Sequence, residues 1–216
     1  MRKADILWAA ALQAATLLPA AAEPCRTVTF AGAPYTVCEA QAGADVRVFH
    51  TGPDGAVYGS FDRVAAAVAT TGGRLAFAMN GGMYHADRSP VGLLIEDAEQ
   101  RAPAVTAAGP GNFGMLPNGV FCITATGFAV IETRRYAAAP ADCRHATQSG
   151  PMLVIGGTLH PRFIPGSPSR FVRNGVGVSA DGGRAAFVIS GARVNFDEFA
   201  RLFRDGLGMP DALYFD

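Results

Sequence analysis

A basic segment between Asp142 and Asp181 is the part of the chain whose composition most directly indicates binding chemistry. It contains no acidic residue, although the whole chain has a formal net charge of zero. Its basic side chains are Arg144, His145, His160, Arg162, Arg170 and Arg173. A loop carrying them over a cleft would bind a phosphate or a carboxylate, because arginine can donate two parallel hydrogen bonds to such an anion. The alternative is a solvated loop whose arginines pair with acids elsewhere.

Two carboxylates could complement this basic segment. Asp216 directly follows the apolar run Ala212-Leu213-Tyr214-Phe215, and an acid in that position seldom serves stability, so it favours a binding role over simple solvation at a strand end. Glu198 lies three residues after Asn195, which is the spacing of a capping box. That spacing favours a structural role for Glu198, although a ligand could also reach the open end of the helix.

The run Ala78-Met79-Asn80-Gly81-Gly82-Met83-Tyr84 joins an apolar segment to a polar side chain and to two residues without a Cβ. Residues 75–79 have the length and composition of a buried strand, and the two glycines let a ligand or a backbone approach closely. Asn80 would then lie at the end of a strand, where α/β proteins place binding groups. Asn-Gly is also a common turn dipeptide, so on these residues alone a β-turn is favoured.

Other catalytic and cofactor signatures are weak. Ser149 does not lie in a Gly-x-Ser-x-Gly nucleophile elbow. The histidines, at positions 50, 85, 145 and 160, do not have the spacing of metal ligands. The sequence contains neither a P-loop nor a dinucleotide-binding fingerprint. We therefore predict no metal and no cofactor.

The first residues have the pattern of an export signal. Arg2 and Lys3 supply the positive start, residues 6–18 the apolar middle, and Ala20-Ala21-Ala22 the small-residue cleavage site. The apolar stretch is too short for a membrane-spanning helix. We therefore predict a signal peptide over residues 1–22 and a periplasmic or secreted mature chain with no membrane span. The net charge of zero gives no bulk attraction to nucleic acid or to membranes.

Four cysteines follow the predicted signal, and an even number in an exported chain predicts two disulfides. Cys25 with Cys38, and Cys122 with Cys143, each bracket a plausible hairpin and close a short loop. Such a bond stabilises the fold by roughly 3 kcal/mol in the chain-entropy model. We favour this pairing over the two other connectivities that four cysteines allow.

Most of the chain is predicted to form β structure, with 50% hydrophobic and 17% charged residues, as in globular domains. Strands are predicted over residues 26–30, 35–37, 46–49, 75–79, 91–95, 120–123, 128–132, 152–155, 175–179, 185–190 and 212–215. A helix between the strands 46–49 and 75–79 permits them to pair in parallel through a right-handed crossover.

Two helices are predicted among these strands. Ser60 is a good N-cap for a helix that runs to about Thr70. The second helix begins at Asn195 and carries an apolar stripe at helical spacing. The stripe consists of Phe196, Phe199, Ala200 and Phe203. These elements predict an α+β fold with mixed β-sheets and two main helices, in a single compact domain over residues 23–216.

Several short motifs in a fixed order resemble the phosphodiester glycosidase family, which includes the catalytic domain of the mannose 6-phosphate uncovering enzyme and many exported bacterial proteins. The motifs are Asn80-Gly81-Gly82, Gly111-Asn112-Phe113, Ser149-Gly150, Arg173-Asn174-Gly175-Val176-Gly177 and Leu213-Tyr214-Phe215-Asp216. The bacterial branch is the more similar, through residues 89–93, 117–121 and 195–200. No single motif is specific, but the ordered set covers nearly everything after the signal.

The resemblance implies an enzyme that cleaves a sugar from a sugar-1-phosphodiester at the anomeric C–O bond, so that the partner is a small anionic or phosphorylated glycan. It implies substrate-binding roles for Asn80, Gly81, Gly82, Ser149, Gly150 and Asn174. Cleavage passes through an oxocarbenium-like transition state that a carboxylate stabilises, and the phosphate leaves readily if its charge is held. We therefore expect Asp216 to act at the anomeric centre as nucleophile or base, Glu198 as a second acid or base, and Arg173 at the phosphate.

One departure from the family pattern bears on these expectations. The pattern continues after the aspartate with glycines and a serine, whereas this sequence ends at Asp216. We therefore expect the domain to lack its C-terminal end, which would leave the site incomplete. The alternatives are a non-catalytic envelope module that binds anionic glycans, a serine hydrolase that uses Ser149, and a cation site at Asn80 and Asp216.

Overall fold

Two β-sheets and three α-helices make up the fold. The computed structural model describes residues 25–215, so that the signal peptide predicted over residues 1–22 and the predicted site residue Asp216 lie outside the described residues. The strands are β1 (Cys25–Phe30), β2 (Ala33–Gln41), β3 (Leu94–Glu96), β4 (Glu99–Ala102), β5 (Gly119–Ile123), β6 (Phe128–Glu132), β7 (His145–Ser149), β8 (Met152–Ile155), β9 (Thr158–Leu159), β10 (Asn174–Val178), β11 (Arg184–Ser190) and β12 (Asp211–Phe215).

The helices are α1 (Phe61–Thr70), α2 (Thr133–Ala138) and α3 (Phe196–Arg201), and α3 continues into a π-helical turn, Leu202–Gly206. Ser60 caps α1 as predicted, since its side chain accepts a hydrogen bond from the Arg63 backbone N–H. Asn195 and Glu198 form the predicted capping box at the start of α3. The short helix α2 was not predicted. No helix in the described part of the chain has the length and apolar character needed to cross a membrane.

The strands form a seven-stranded sheet in the order β1-β2-β11-β10-β12-β8-β9 and a five-stranded sheet in the order β4-β3-β7-β5-β6. The predicted α+β class, with two main helices in a single compact domain, is confirmed. Every pairing between these named strands is antiparallel. The parallel pairing that the predicted order permitted is therefore absent from residues 25–215.

Three apolar clusters arrange the elements in layers. One lies between the two sheets and joins Phe121 and Phe128 to Phe187 and Phe215. A second packs α3 and the π-helical turn against the outer face of the seven-stranded sheet. The third covers the outer face of the five-stranded sheet, where Tyr136 of α2 lies. The order of layers is therefore helix, sheet, sheet, helix.

Glycines in β10 allow the aromatic side chains that follow Asn195 to pack directly on the sheet. A Cβ on Gly177 would lie 2.6 Å from Cδ1 of Phe203 and 2.9 Å from Cβ of Met209. A Cβ on Gly175 would lie 3.3 Å from Cε1 of Phe199. The two phenylalanines are fully buried, as the predicted stripe requires. The alternation of glycine and valine in β10 thus places small residues under the helix and apolar residues between the sheets.

Two predicted strands are wrong. Residues 46–49 and 75–79 form no strand in the structure. Their apolar residues Val46, Phe77 and Met79 instead pack along the cluster between the sheets, and the Phe77 and Phe187 ring centroids lie 5.3 Å apart. The apolar pattern of these two segments correctly indicates burial. No neighbouring strand, however, forms the backbone hydrogen bonds that would make them part of a sheet. The strand predicted over residues 91–95 is likewise reduced to β3.

Both predicted disulfides are present. Cys25 is bonded to Cys38 across the β1–β2 hairpin, where the two residues lie opposite each other. Cys122 of β5 is bonded to Cys143, just before β7. Each bond links segments that are close in sequence and already paired in a sheet.

Replacing Gly177 by alanine tests the contact between β10 and the residues that follow α3. The added methyl group would overlap Phe203 and Met209, so we expect the free energy of unfolding to fall by roughly 1–3 kcal/mol, the usual cost of overpacking. Urea titration followed by circular dichroism measures this change. Gly109→Ala is the matched control, because its Cβ would meet only the Gly114 Cα at 3.9 Å. Equal stability of the two variants would contradict the role of Gly177.

Two buried histidines predict a loss of stability in mild acid. Burial lowers the pKa of His145, and Arg144 adds to the effect against an opposing contribution from Asp97. Burial also lowers the pKa of His160, with a further contribution from Arg162. Below about pH 6.5 the unfolded chain binds protons that the folded chain excludes, so stability should fall by up to about 1.4 kcal/mol per pH unit for each histidine.

The variants His145→Asn and His160→Asn should each reduce this dependence, because asparagine keeps an acceptor but does not titrate. The measurement is urea unfolding at several values between pH 7.5 and pH 5. His85→Asn serves as the control for loss of an imidazole, since His85 is exposed. An unchanged slope in both buried-site variants would show that other groups cause the acid sensitivity.

Candidate functional site

Two asparagines that are distant in sequence meet at the centre of the candidate site. Nδ2 of Asn174 donates a hydrogen bond of 2.7 Å to Oδ1 of Asn80. Asn174 begins β10 and lies opposite Phe215 of β12 in the sheet register. The Asn80 corner and the start of β10 therefore converge at the end of β12 that leads to Asp216, whose own position lies outside the description.

The two glycines after Asn80 have different surroundings. The Gly82 N–H donates to Oγ1 of Thr147 at 3.0 Å, and a Cβ on Gly82 would overlap that hydroxyl and the Gln148 carbonyl oxygen. A Cβ on Gly81 would meet only Thr147, at 3.5 Å. Gly82 is thus required for the close approach of the corner to β7, whereas no atom of residues 25–215 excludes a side chain at Gly81. Residues 80–82 form no regular strand.

Ser149 and Gly150 follow Thr147 at the end of β7. Ser149 is fully buried, at 0% exposure, and within residues 25–215 its hydroxyl has no hydrogen-bond partner. A Cβ on Gly150 would lie 2.6 Å from the Asn118 Cβ, so this glycine is needed for packing. A buried hydroxyl is poorly placed to attack a substrate, and the geometry adds no support to the serine hydrolase alternative.

Arg173 is the most constrained cation of the site. It is 2% exposed, its Nε donates to the Val194 carbonyl at 2.9 Å, and its Nη2 donates to the Ser169 carbonyl at 3.2 Å. The guanidinium lies 3.6 Å from the centroid of the Phe196 ring and 5.6 Å from that of the Tyr214 ring. Burial lowers the pKa of Arg173, and Tyr214 opposes the shift. Among the described residues no carboxylate lies within 4 Å of it.

Glu198 has both oxygens engaged. Its Oε2 accepts the Asn195 N–H at 3.1 Å, and its Oε1 accepts Nη1 of Arg170 at 2.7 Å. Burial raises the pKa of Glu198, but the hydrogen bonds from Arg170 and from the Asn195 backbone outweigh burial and hold the pKa below its usual value. The predicted capping role is therefore present, and the side chain carries its charge at neutral pH.

The basic residues of segment 143–180 are spread over several elements. Arg170 is bonded to Glu198, and Arg144 lies 3.7 Å from Asp97. His145 and His160 are buried. The segment contains β7, β8, β9 and β10, so it is not one loop over a cleft. The alternative interpretation was that the arginines pair with acids elsewhere. It holds for two of the four arginines of the segment, Arg144 and Arg170.

A cavity of about 760 Å³ lies beside the Asn80 corner. It is lined by residues 48–50 and 57–58, by the start of α1, and by residues 79–84, Arg88 and Pro90. Thr147 and Gln148 of β7 also line it. Its volume is in the range of small-molecule sites, roughly 300–1,000 Å³. Arg173, Ser149, Asn174 and Glu198 do not line it.

Sequence reasoning missed this cavity, because the residues that form it come from four separate segments. Its aromatic residues are Phe49, Tyr58, Phe61 and Tyr84. Tyr84 belongs to the run after Asn80, but an aromatic residue in a loop gives little indication of its neighbours. In the described range no group of three His, Cys, Asp or Glu side chains is arranged to hold a metal ion.

Comparisons with known proteins identify the family of this chain. The family model described as phosphodiester glycosidase matches residues 73–216. The chain therefore belongs to the phosphodiester glycosidase family, which confirms the resemblance found in its motifs. It is 32% identical over 171 residues to "Uncharacterized protein YigE" of Escherichia coli (strain K12), with 79% of this chain and 66% of that protein covered. The chain thus spans about two thirds of the length of that relative.

The fold is similar to a solved structure of zebrafish N-acetylglucosamine-1-phosphodiester alpha-N-acetylglucosaminidase, whose catalytic domain is auto-inhibited by its pro-peptide. The TM-score is 0.54 at 14% sequence identity, and the match covers 89% of this chain and 68% of that chain. At this identity the comparison shows a shared fold.

Replacing Arg173 by lysine tests the constraint on the buried guanidinium. Lysine cannot reach the two carbonyls and stack on Phe196 at once, so we expect the free energy of unfolding to fall by roughly 2–3 kcal/mol, the range for hydrogen bonds of charged groups. Chemical denaturation at pH 7.5 measures this loss. Arg170→Lys is the control, because the Arg170–Glu198 pair is partly exposed and should cost less than about 1 kcal/mol. Equal losses in the two variants would be inconsistent with a special role of Arg173.

Proposed function

We propose that this chain is an exported glycoside hydrolase that removes a sugar from a sugar-1-phosphodiester by cleaving the anomeric C–O bond. Membership of the phosphodiester glycosidase family supports the reaction class. The observation that carries the proposal is the Asn80–Asn174 hydrogen bond. It joins the double-glycine corner to the Arg173 segment at the end of β12, and a substrate-sized cavity opens beside that corner. The two disulfides support export to the periplasm or the medium.

In the proposed reaction, water supplies the oxygen that replaces the phosphate at the anomeric carbon. The C–O bond breaks with its electron pair on the phosphate oxygen, which gives a free sugar and a phosphate monoester. Asp216 acts at the anomeric centre as nucleophile or base, and the carboxylate stabilises the oxocarbenium-like transition state. Asn80, which lines the cavity, orients the sugar or the leaving oxygen, whereas the fully buried Ser149 has no direct contact with the substrate in this proposal.

Arg173 and Glu198 have supporting roles in this proposal. A buried guanidinium without a carboxylate within 4 Å, as observed over residues 25–215, presents a fixed positive charge that favours a departing phosphate. Two of its five N–H groups bond to protein carbonyls, and these bonds fix the position of its charge. Glu198 is charged at neutral pH and therefore acts as a base when it exchanges its bond to Arg170 for one to the substrate.

A non-catalytic module that binds anionic glycans is the second candidate. It is favoured by one observation, namely that both oxygens of Glu198 are engaged in capping and ion-pair contacts. Such a module would bind a sugar-1-phosphodiester without releasing free sugar. Both candidates therefore predict binding of the phosphodiester, but only the hydrolase predicts its turnover.

The variant Asp216→Asn tests the catalytic proposal. Asparagine keeps the size of the side chain but cannot act as nucleophile or base, so kcat should fall by at least about 100-fold. Phosphorus NMR of a sugar-1-phosphodiester with a methyl aglycone measures formation of the monoester. Asp45→Asn is the control, because Asp45 is an exposed acid paired with Arg47.

Three outcomes separate the alternatives. Loss of turnover in Asp216→Asn alone, with unchanged circular dichroism, supports the assignment. Full activity of that variant would remove Asp216 from the mechanism. Binding of the diester by the wild-type chain without any monoester formed would favour the binding module.

A further inference from the structure

Arg88 is a cation that lines the cavity. Its guanidinium lies 4.9 Å from the centroid of the Tyr84 ring, and in the described structure no carboxylate lies within 4 Å of it. The neighbouring Asp87 carboxylate instead accepts hydrogen bonds from the N–H and the hydroxyl of Ser89. Arg88 therefore differs from Arg173, which is anchored by two protein carbonyls and does not line the cavity.

Three hydrogen bonds fix the conformation of the loop that carries Arg88. The Arg88 N–H donates to the His85 carbonyl at 2.8 Å, and the Val91 N–H donates to the Met83 carbonyl at 3.0 Å. Nε2 of His50, which also lines the cavity, donates to the Arg88 carbonyl at 2.9 Å. These bonds hold Arg88 at φ 70°, a conformation that side-chain-bearing residues seldom adopt. Strain of this kind is retained most often at ligand-binding sites.

The aromatic residues of the cavity supply the second observation. Phe61 is 54% exposed and Tyr84 is 45% exposed, and both line the same cavity. Large aromatic side chains left open to water beside a cavity indicate contact with a ligand. Asp62 also lines the cavity, and a carboxylate can accept hydrogen bonds from hydroxyl groups.

We propose that this cavity binds a ligand in which a ring is attached to a phosphate. Arg88 donates hydrogen bonds to the phosphate oxygens, the ring packs between Phe61 and Tyr84, and Asp62 accepts from ring hydroxyls. The proposal rests on the proposed function, in that the ligand is part of the phosphodiester substrate beside the Asn80 corner. Substrates with a ring near the phosphate are then preferred to those with a small alkyl group, and Arg88 determines this preference.

Binding of two simple phosphates tests this subsite without any need for turnover. Isothermal titration calorimetry should show phenyl phosphate binding the wild-type chain at least about tenfold more tightly than methyl phosphate, because only the former presents a ring to the aromatic walls. Arg88→Gln should weaken binding of phenyl phosphate by about 10- to 100-fold, the range expected for loss of a charge-assisted hydrogen bond. Glutamine keeps a Cβ, so the backbone constraint at φ 70° is unchanged.

The control variants distinguish loss of the Arg88 charge from loss of the aromatic ring and from loss of folding. Arg134→Gln removes an exposed arginine of α2, which contributes no residue to the cavity, and should bind like the wild type. Tyr84→Phe keeps the ring under Arg88 and should retain binding, whereas Tyr84→Ala should lose it. Thermal unfolding of each variant establishes that it is folded. Wild-type affinity in Arg88→Gln, or equal affinity for the two phosphates, would overturn the proposal.

Kinetics distinguish failure of the subsite from failure of the proposed function. Where the wild-type chain turns over a sugar-1-phosphodiester, Arg88→Gln should raise KM with little change in kcat. Turnover with a KM that is independent of Arg88 would overturn the subsite and leave the function standing. Arg88-dependent binding of phenyl phosphate by a chain without turnover would support the subsite and overturn the hydrolase.

Discussion

The part of the fold that carries the candidate site depends on the contacts of one buried group, the guanidinium of Arg173. It joins the carbonyls of Ser169 and Val194 and the rings of Phe196 and Tyr214. Removing a charge from water is costly unless hydrogen bonds compensate, and these four partners come from different segments. The loop before β10, the entrance to α3 and the end of β12 must therefore keep their relative positions for the charge to stay buried.

The two sheets provide the rigid support that this contact needs. Gly175 and Gly177 let α3 and the turn after it lie close to β10, so the segment that carries Phe196 is held against the sheet that carries Tyr214. The disulfides stiffen the hairpin at one edge and the outer face of the smaller sheet. Functional side chains on such a framework are placed at strand ends and in short connections, where a ligand can reach them.

The arrangement separates two kinds of positive charge. Arg173 is 2% exposed and anchored by two protein carbonyls, which suits a fixed electrostatic contribution. Arg88 stands on a braced loop at the cavity with donors available, which suits direct contact with an anion. The corner at Asn80 lies between these regions, because Asn80 is bonded to Asn174 and also lines the cavity.

The sequence by itself determined the features that depend on neighbours along the chain. These were the caps at Ser60 and Asn195, the hairpins, both disulfides and the ordered motifs of the family, because turns, caps and short loops are local interactions. Only the tertiary structure decided that residues 75–79 are packed without forming a strand, that Arg173 is buried, that Asn80 bonds to Asn174 and that a cavity opens beside Arg88. Each of these depends on contacts between distant segments, and the periodicity of a single segment carries no information about which segment packs against it.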